Sequence, residues 1–571
     1  MNTIEIPVQH VNGEPLTEEQ RQYLGGFFAG LAAQGLKFSD VEPNPVTEKA
    51  APVENLIYEE RVKRELHPLD AYEQIVENAQ LNKAPDKKEI FRFKWHGLFF
   101  LTPNKEAFMA RLRIPGGLLK TFQLRELAKL AKELTSGYVQ ITTRANFQMR
   151  LIQPRDCPEF LRRVQSVGLH TRGAGADNIR NLTANPTAGI DPQELVDVMP
   201  LCQELGQIII NDRSFYDLPR KFNIAYDGGG LIGTVEDTND IGAKAVRVGG
   251  DIFFRIALGG ATGHKAFARD LGVLVKPGEL NKVILAVVRV YIANGNRGDR
   301  KKARLKHLLE TWSLDQYLAE TEKLLGSGLR RSPVESSDEP APPPLRPHSH
   351  LGVYPQKQPG LNYIGVALPV GQITPKQMLR VAEIADLYGS GEIRLTVWQN
   401  FLIPNVPDAY VETVCKAVRK AGLDTKASRL RGGLVACTGN SYCKFAMVNT
   451  KGHALALADY LEKKLTLDLP INIHLTGCPN SCAQHYMGDI GLLGTKVKGE
   501  EAYHVFIGGG FGVNQAVGRQ VFSGLSVEDT KITLEKMLKG YLRHRLEGET
   551  FQKFTQRHDL NTLQAFFSND E

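Results

Sequence analysis

The chain has 571 residues, 42% of them hydrophobic and 23% charged, the proportions of a globular protein with room for about two to four domains rather than of a disordered or fibrous one. Its formal net charge of +7 is too mild for a nucleic-acid-binding protein and suits an anionic substrate or an acidic protein partner. No apolar run is long enough to span a membrane, no basic-then-apolar stretch marks a signal peptide, and seven cysteines without secretory features point to a reducing cytoplasm.

Residues 1–55 read as an appendage and linker. Thr17-Glu-Glu-Gln20 matches a capping box, Leu24, Phe27, Phe28 and Leu31 recur at helical spacing, and three prolines mark Glu42 to Glu54 as a connection. The expected helix packs on the main body. A strand then ends at Pro115-Gly-Gly, followed by helix Gln123–Leu134, a β-rich strand Tyr138–Arg150 and helix Pro158–Val167. A Pro-rich stretch, Ser332 to Pro347, divides the chain near its middle, and His348 and His350 beyond it are expected to be solvated. The same order then returns, with helix Pro375–Leu387, strand Glu392–Ile403 and helix Ala409–Ala421.

The return is a repeat. Arg111-Leu-Arg-Ile-Pro115 aligns with Gly365-Val-Ala-Leu-Pro369, the Asn146-Phe147 segment with Asn400-Phe401, and Gly168-Leu-His-Thr171 with Gly422-Leu-Asp-Thr425, always at an offset of 254 (369 − 115, 400 − 146, 422 − 168). Leu218-Pro219 with Leu469-Pro470, and Leu258-Gly-Gly260 with Ile507-Gly-Gly509, continue it after small deletions. A unit this long is a duplicated domain, not a solenoid repeat. Alternating strands and helices make each copy a ferredoxin-like α+β unit, and two such units would pair about a pseudo-two-fold axis with a cleft between them.

Four cysteines stand in two close pairs, Cys437/Cys443 and Cys478/Cys482, with five and three residues between partners. Such pairs suggest thiolates converging on a soft-metal centre, and four are what a cubane iron–sulfur cluster needs, one per iron. The five-residue gap lies outside the usual zinc spacing, although a zinc site and unligated core cysteines stay open as alternatives. Cys157, Cys202 and Cys415 read as free core or surface thiols.

The two halves differ where chemistry is concerned. Arg111, Arg113, Arg144 and Arg150 correspond to Gly365, Ala367, Trp398 and Pro404; Thr183 and Asp227 stand where the second half has Cys437 and Cys478; Lys221 and Asn223 stand where it has Asn472 and His474. Drift after duplication is the plain alternative. Against it, Arg111 and Arg113 alternate on a strand and would share a face, and guanidinium groups match oxyanion geometry. One half carries cations for a shared anion cavity, and the other carries thiolates.

These residues resemble the signature of sirohaem-dependent nitrite and sulfite reductases. The resemblance rests on Cys437-Thr-Gly-Asn440, Thr476-Gly-Cys-Pro-Asn-Ser-Cys482, Thr142-Thr-Arg-Ala-Asn146, Leu218-Pro-Arg-Lys-Phe-Asn223 and the duplication, and it covers Lys94 to the C-terminus. It implies an α+β, duplicated sirohaem-reductase fold of three α/β domains. Residues 90–154 and 360–426 would be paired ferredoxin-like half-domains, 155–330 a first sirohaem-clamping domain, 331–356 a Pro-rich linker, and 427–571 a second clamping domain with the cysteines. By the same resemblance Cys437, Cys443, Cys478 and Cys482 ligate a [4Fe–4S] cluster, and Cys482 also bridges to the sirohaem iron. Arg111, Arg144, Lys221 and Asn223 face substrate, while Arg113, Thr142, Thr143, Asn146, Gln148, Arg220 and Asn440 bind cofactor. The family's sulfite reductases carry Lys-x-Lys where this chain has Lys221-Phe-Asn223. One cation fewer suits monoanionic nitrite, so the expected reaction is six-electron reduction of nitrite to ammonium.

No stretch is read as a built-in nicotinamide or flavin site, so electrons are expected from a separate protein, a ferredoxin or flavodoxin-like donor. Gly508-Gly-Gly-Phe-Gly512 is read instead as a close backbone approach to cofactor or cluster. The alternatives are a sulfite reductase, a corrinoid-synthesis monooxygenase of the same superfamily, and a non-catalytic iron–sulfur redox sensor.

Overall fold

The computed structural model describes residues 10–11, 14–15, 21, 56–100, 106–332 and 350–568. The chain forms two compact units, Met1–Leu56 and Ile57–Glu571. In the first, His10–Val11 pairs antiparallel with Glu14–Pro15. The capping box at Thr17, the apolar stripe Leu24 to Leu31, the connection Glu42 to Glu54 and nearly all of the Pro-rich stretch lie outside the described residues.

Among its described residues the second unit contains four five-stranded sheets. Its helices form where periodicity and caps agree. Thr374 and Gln377 close a capping box, Pro375 takes the first turn, and Met378, Val381, Ala382 and Ala385 bury one stripe of Pro375–Tyr388. Thr121–Glu133 is its counterpart, with Leu124, Leu127, Ala128 and Ala131 buried, and the two helices pack together.

Each β-rich strand expected from the sequence is in fact a hairpin. Val139–Ile141 turns at Thr142–Asn146 into Phe147–Ile152, and Glu392–Leu395 turns at Thr396–Asn400 into Phe401–Pro407. Thr142 N donates to Asn146 O at 2.9 Å and Thr396 N to Asn400 O at 2.9 Å. Ala145 (φ 48°) and Gln399 (φ 62°) take the left-handed residue of each turn. Neither is glycine, which is why the turns are hard to see in the sequence.

The two half-domains also exchange strands. Leu118–Lys120, just after the Pro115-Gly-Gly turn, joins the second half's sheet with Glu392 opposite Lys120, and Gln372–Ile373 joins the first half's sheet with Gln372 opposite Gln140. A Cβ on Gly117 (φ +72°) would lie 2.6 Å from Leu395 O, so the crossing requires glycine there. One hydrophobic core runs through both half-domains, with Leu127, Phe147 and Met149 packed with Val381, Leu402 and Ile403. Each remaining sheet has a core of its own, and Cys202 is buried in the first, whereas Cys157 lies in the shared core and Cys415 is half-buried against it.

Those remaining sheets carry the site. In the order Arg330–Arg331, Arg269–Val275, Asp251–Leu258, Ile241–Val248, Ile224–Asp227, only the last pair is parallel. In the other, Leu434–Ala436, Ile473–Thr476 and Ile490–Val497 run parallel before Glu500–Ile507 and Arg519–Ser526. Their registers correct more than one equivalence, and the counterpart of Asp227 is Thr476 instead of Cys478. Ile224 stands opposite Ile241 and Asn223 N donates to Asp240 Oδ2; Ile473 stands opposite Ile490 and Asn472 N donates to Asp489 Oδ2, both at 2.8 Å. Asn472 is therefore the counterpart of Asn223, and His474 of Ala225, a shift of two caused by unequal connections before the strand. His350 is not solvated either: it is buried, stacks on Trp398 at 6.0 Å and meets Asn400 Nδ2 at 3.0 Å.

Candidate active site

The two cysteine pairs meet because each follows the end of one of two adjacent parallel strands. Cys437 succeeds Leu434–Ala436 and donates its N–H to Leu475 O at 3.0 Å, while Gly477 N, just past Ile473–Thr476, donates to Cys437 Sγ at 3.2 Å. Met447 N closes the first loop onto Gly477 O at 2.8 Å. In the second loop Ser481 N donates to Cys478 O at 3.2 Å, with Ser481 at φ 53°. All four thiols line one cavity of about 630 Å³. Among the described residues no three His, Cys, Asp or Glu side chains converge on a single-ion site. Thiols spread around a cavity fit a cluster with one cysteine per iron better than one tetrahedral zinc.

The opposite wall comes from the first half. The turn Thr142–Asn146 reaches the second cysteine loop, where Thr143 Oγ1 donates to Cys482 O at 3.0 Å. Arg111, Thr142, Arg144, Asn146, Gln148, Arg220, Lys221 and Asn223 line the cavity as well. Their side chains are not equally available. Arg144 is spent on the protein, donating to Asn181 O at 2.7 and 3.1 Å, Asn239 Oδ1 at 2.8 Å and Ile224 O at 3.3 Å. Asn146 is buried, bonding Leu112 O at 2.9 Å and accepting from Thr142. Arg111 Nε has no partner among the described residues, its Nη1 makes one long bond (3.4 Å) to Ala174 O, and its guanidinium lies 4.7 Å from the Phe99 ring centroid.

Two expected cofactor contacts are placed elsewhere. Arg113 is 1% exposed and bonds the carbonyls of Arg172, Ile179 and Arg180. Its strand ends at Arg111, so the alternation that would have aligned the two arginines stops. Asn440 donates to Glu501 Oε1 at 2.6 Å and ties the cysteine loop to Glu500–Ile507 instead of lining the cavity. Conversely, Arg180 lines the cavity, with Nε unpartnered and Nη1 and Nη2 on Ala174 O and Ala176 O. The repeat held a signal for it, since at the offset of 254 its counterpart is Leu434.

The electrostatics are one-sided. Among the described residues ten lysine and arginine side chains line this cavity, and no aspartate or glutamate does. The carboxylates stand behind: Asp177 takes Arg300 at 2.7 and 2.8 Å, and Asp240 takes Arg304 at 2.7 and 3.1 Å. Burial, reinforced by Arg304, pushes the Lys221 ammonium down to about 7. Burial and the neighbouring cysteines push the Cys482 thiol up to about 12, although Cys482 is open to the cavity. A bound metal would favour the thiolate form of Cys482. The unpartnered arginine nitrogens and the absence of acid suit a polycarboxylate cofactor and an oxyanion. The residues present fit both groups.

A larger cavity of about 1560 Å³ belongs to the second half and holds none of these cysteines. Gly509 and Gly510 line it. A Cβ on Gly509 would lie 2.5 Å from Tyr486 O, and one on Gly260 2.5 Å from Asn239 O. These glycines accommodate protein backbone, not the cluster.

A family model described as the nitrite and sulphite reductase 4Fe-4S domain matches residues 175–328 and 429–569, and one for the nitrite/sulfite reductase ferredoxin-like half domain matches 102–167 and 354–421. The chain is 36% identical to the ferredoxin–nitrite reductase of Synechococcus elongatus over 86% of its own length and 98% of that protein. It is 34% identical to the chloroplastic enzyme of Arabidopsis thaliana, over 86% and 88% of the two chains. The solved structure of the Mycobacterium tuberculosis NirA protein superimposes with a TM-score of 0.83 at 29% identity, covering 89% of this chain and 97% of that one. Fold, paired cysteine loops and relatives agree: the chain belongs to the sirohaem and [4Fe–4S] family of nitrite and sulfite reductases.

Proposed function

We propose that this protein is a ferredoxin-dependent nitrite reductase, converting nitrite, six electrons and eight protons into ammonium and two waters. The observation that carries the reading is a cavity with four cysteine thiols from one half, nine of its ten cations from the other and, among the described residues, no acidic side chain. Relatives of nearly equal length are named ferredoxin–nitrite reductases. Cys437, Cys443, Cys478 and Cys482 would hold the [4Fe–4S] cluster, with Cys482 shared between it and sirohaem, whose carboxylates Arg220, Thr142, Thr143 and Gln148 would meet. When bound, the two cofactors deliver electrons to nitrite.

The protein's own part is to bind the anion and supply protons. Arg111, Arg180 and Lys221 present charge-assisted donors to its oxygens, and they are fixed before substrate arrives. Arg144 supports that wall from behind through Asn181 and Asn239. Lys221, with its ammonium brought to about 7 by burial, can release a proton to a departing oxygen and be recharged from water, which an arginine cannot. Asn223 offers an amide without a further charge, appropriate to a monoanion. No helix among the described residues is long and apolar enough to cross a membrane. We place the enzyme in the cytoplasm, where reduced thiols and an acidic donor protein are available to a chain of net charge +7.

The test is ammonium formation from nitrite by the purified protein with reduced ferredoxin. Sulfide formation from sulfite at far higher efficiency would transfer the reading to sulfite reduction, and a visible spectrum without sirohaem bands would sink both.

A further inference from the structure

Arg150 sits on the strand Phe147–Ile152 and is 3% exposed, yet its guanidinium reaches from the first half into the loop between Cys437 and Cys443. One Nη donates to Thr438 Oγ1 at 2.7 Å and to Gln148 Oε1 at 2.6 Å, and Nε donates to Gln140 Oε1 at 3.1 Å. The guanidinium carbon lies 5.5 Å from the centroid of the Tyr442 ring. Every one of these partners is neutral, and among the described residues no carboxylate pairs with Arg150. Arg300 and Arg304, on the same cavity, are each held by a carboxylate. An arginine keeps its charge when buried, and a buried charge is costly unless an opposite one faces it. The anion expected near Arg150 is not an acidic residue: Cys443, which follows Tyr442 in the same loop, lines the cavity that Arg150 lines.

We propose that Arg150 is a positioning residue for the iron–sulfur cluster, one that also sets the cluster's reduction potential. The proposal rests on reading the four cysteines as cluster ligands. Through Thr438 and Tyr442 the guanidinium fixes the loop that carries two of the ligands. Its uncompensated charge favours the reduced cluster, which is more negative by one unit, and in a low-dielectric interior that preference is not screened away. The step affected is a one-electron transfer: the donor loses an electron, the cluster gains it, and no bond or proton moves. Gln140 and Gln148 contribute by satisfying the guanidinium without neutralising it, where a carboxylate at either position would cancel the effect.

The experiment is an EPR-monitored redox titration of the cluster in as-purified holoenzyme, comparing wild type with Arg150→Gln and Arg150→Lys. The glutamine variant should lower the equilibrium constant for cluster reduction about tenfold, about 59 mV for one electron. The lysine variant keeps the charge and should stay within about threefold of wild type, the smaller part of that tenfold span. A wild-type potential in Arg150→Gln would overturn the proposal. If the glutamine variant assembles no cluster while the lysine variant assembles one of near wild-type potential, the requirement for the charge is upheld. Loss of the cluster in both would overturn the electrostatic role, because the retained charge should have rescued it. A wild-type protein without a cluster signal is a separate result, which would overturn the reading of the cysteines themselves.

Discussion

Arg144 and Arg180 both line the cavity, and only their hydrogen bonds separate them. Arg144 has four bonds to protein acceptors and works as a strut. Arg180 keeps Nε without a partner beside Arg111, whose Nε is also unpartnered. Removing one pre-aimed donor to a developing oxyanion typically costs about 10²–10³ in kcat. Arg180→Met should therefore lower kcat/KM for nitrite by roughly that factor with sirohaem and cluster spectra intact. A nitrite kcat/KM within a few-fold of wild type would remove Arg180 from the substrate wall. Asn223, held by Asp240 at its backbone N–H, can be replaced without disturbing the strand. Asn223→Lys adds a cation and should raise the ratio of sulfite to nitrite turnover by about tenfold, which is about 1.4 kcal/mol. An unchanged ratio in parallel sulfide and ammonium assays would show that this position does not select substrate.

At the scale of elements, the turn Thr142–Asn146 is the part that presents the first half to the cysteines, and Asn181 keeps it in place. The Asn181 amide, 1% exposed, accepts from Ile114 N at 2.7 Å and donates to Ile114 O at 2.8 Å and Arg144 O at 2.9 Å. Each such buried bond is worth about 1 kcal/mol, and its loss strands a backbone group. Asn181→Ala should cost about 2–4 kcal/mol in denaturant unfolding of the loaded protein. A loss below about 0.5 kcal/mol, the range of ordinary surface substitutions, would mean the turn stands without it. The helices of this region were legible beforehand, because apolar spacing and the Thr374 capping box are local signals. The hairpin was not, because Ala145 and Gln399 occupy left-handed positions that a sequence usually marks with glycine. Arg113 differs from its expected place for another reason: strand alternation predicts a face only as far as the strand continues, and this one ends at Arg111.

Across the whole molecule, the pseudo-two-fold axis relates two aspartates with unlike surroundings, Asp240 buried and Asp489 half-buried on the larger cavity. Asp240 accepts from Asn223 N and is paired with Arg304, whereas Asp489 accepts from Asn472 N and has no ion-pair partner among the described residues. Burial therefore pushes Asp489 up to about 7. A carboxyl raised in the folded state binds its proton more tightly there than in the unfolded chain. It then costs nothing below its unfolded value of about 3.9, and costs progressively more as pH rises towards 7. Asp489→Asn keeps an acceptor for Asn472 N and should stabilise the protein by about 1–3 kcal/mol at pH 8, with the gain disappearing below about pH 4. A gain of equal size at both pH values would show that ionisation of Asp489 is not its source.

The sequence by itself determined that the chain is duplicated, that four cysteines of the second half stand in two close pairs, and that Arg111, Arg113, Arg144 and Arg150 of the first half have no cationic counterparts there. Repeats, ligand spacing and charge are properties of residue type and order, and folding does not alter them. Only the tertiary structure decided which cations face the cavity, that the half-domains exchange Leu118–Lys120 and Gln372–Ile373, and that Asn472 rather than His474 answers Asn223. Those depend on strand partners and register, which are set by contacts between residues hundreds of positions apart. Local patterning has no hold on them, because a shift of two residues along a strand leaves the same faces exposed. Arg150 belongs to both: its difference from Pro404 is visible in the repeat, and its place against Thr438 exists only once the two halves have closed on the cysteines.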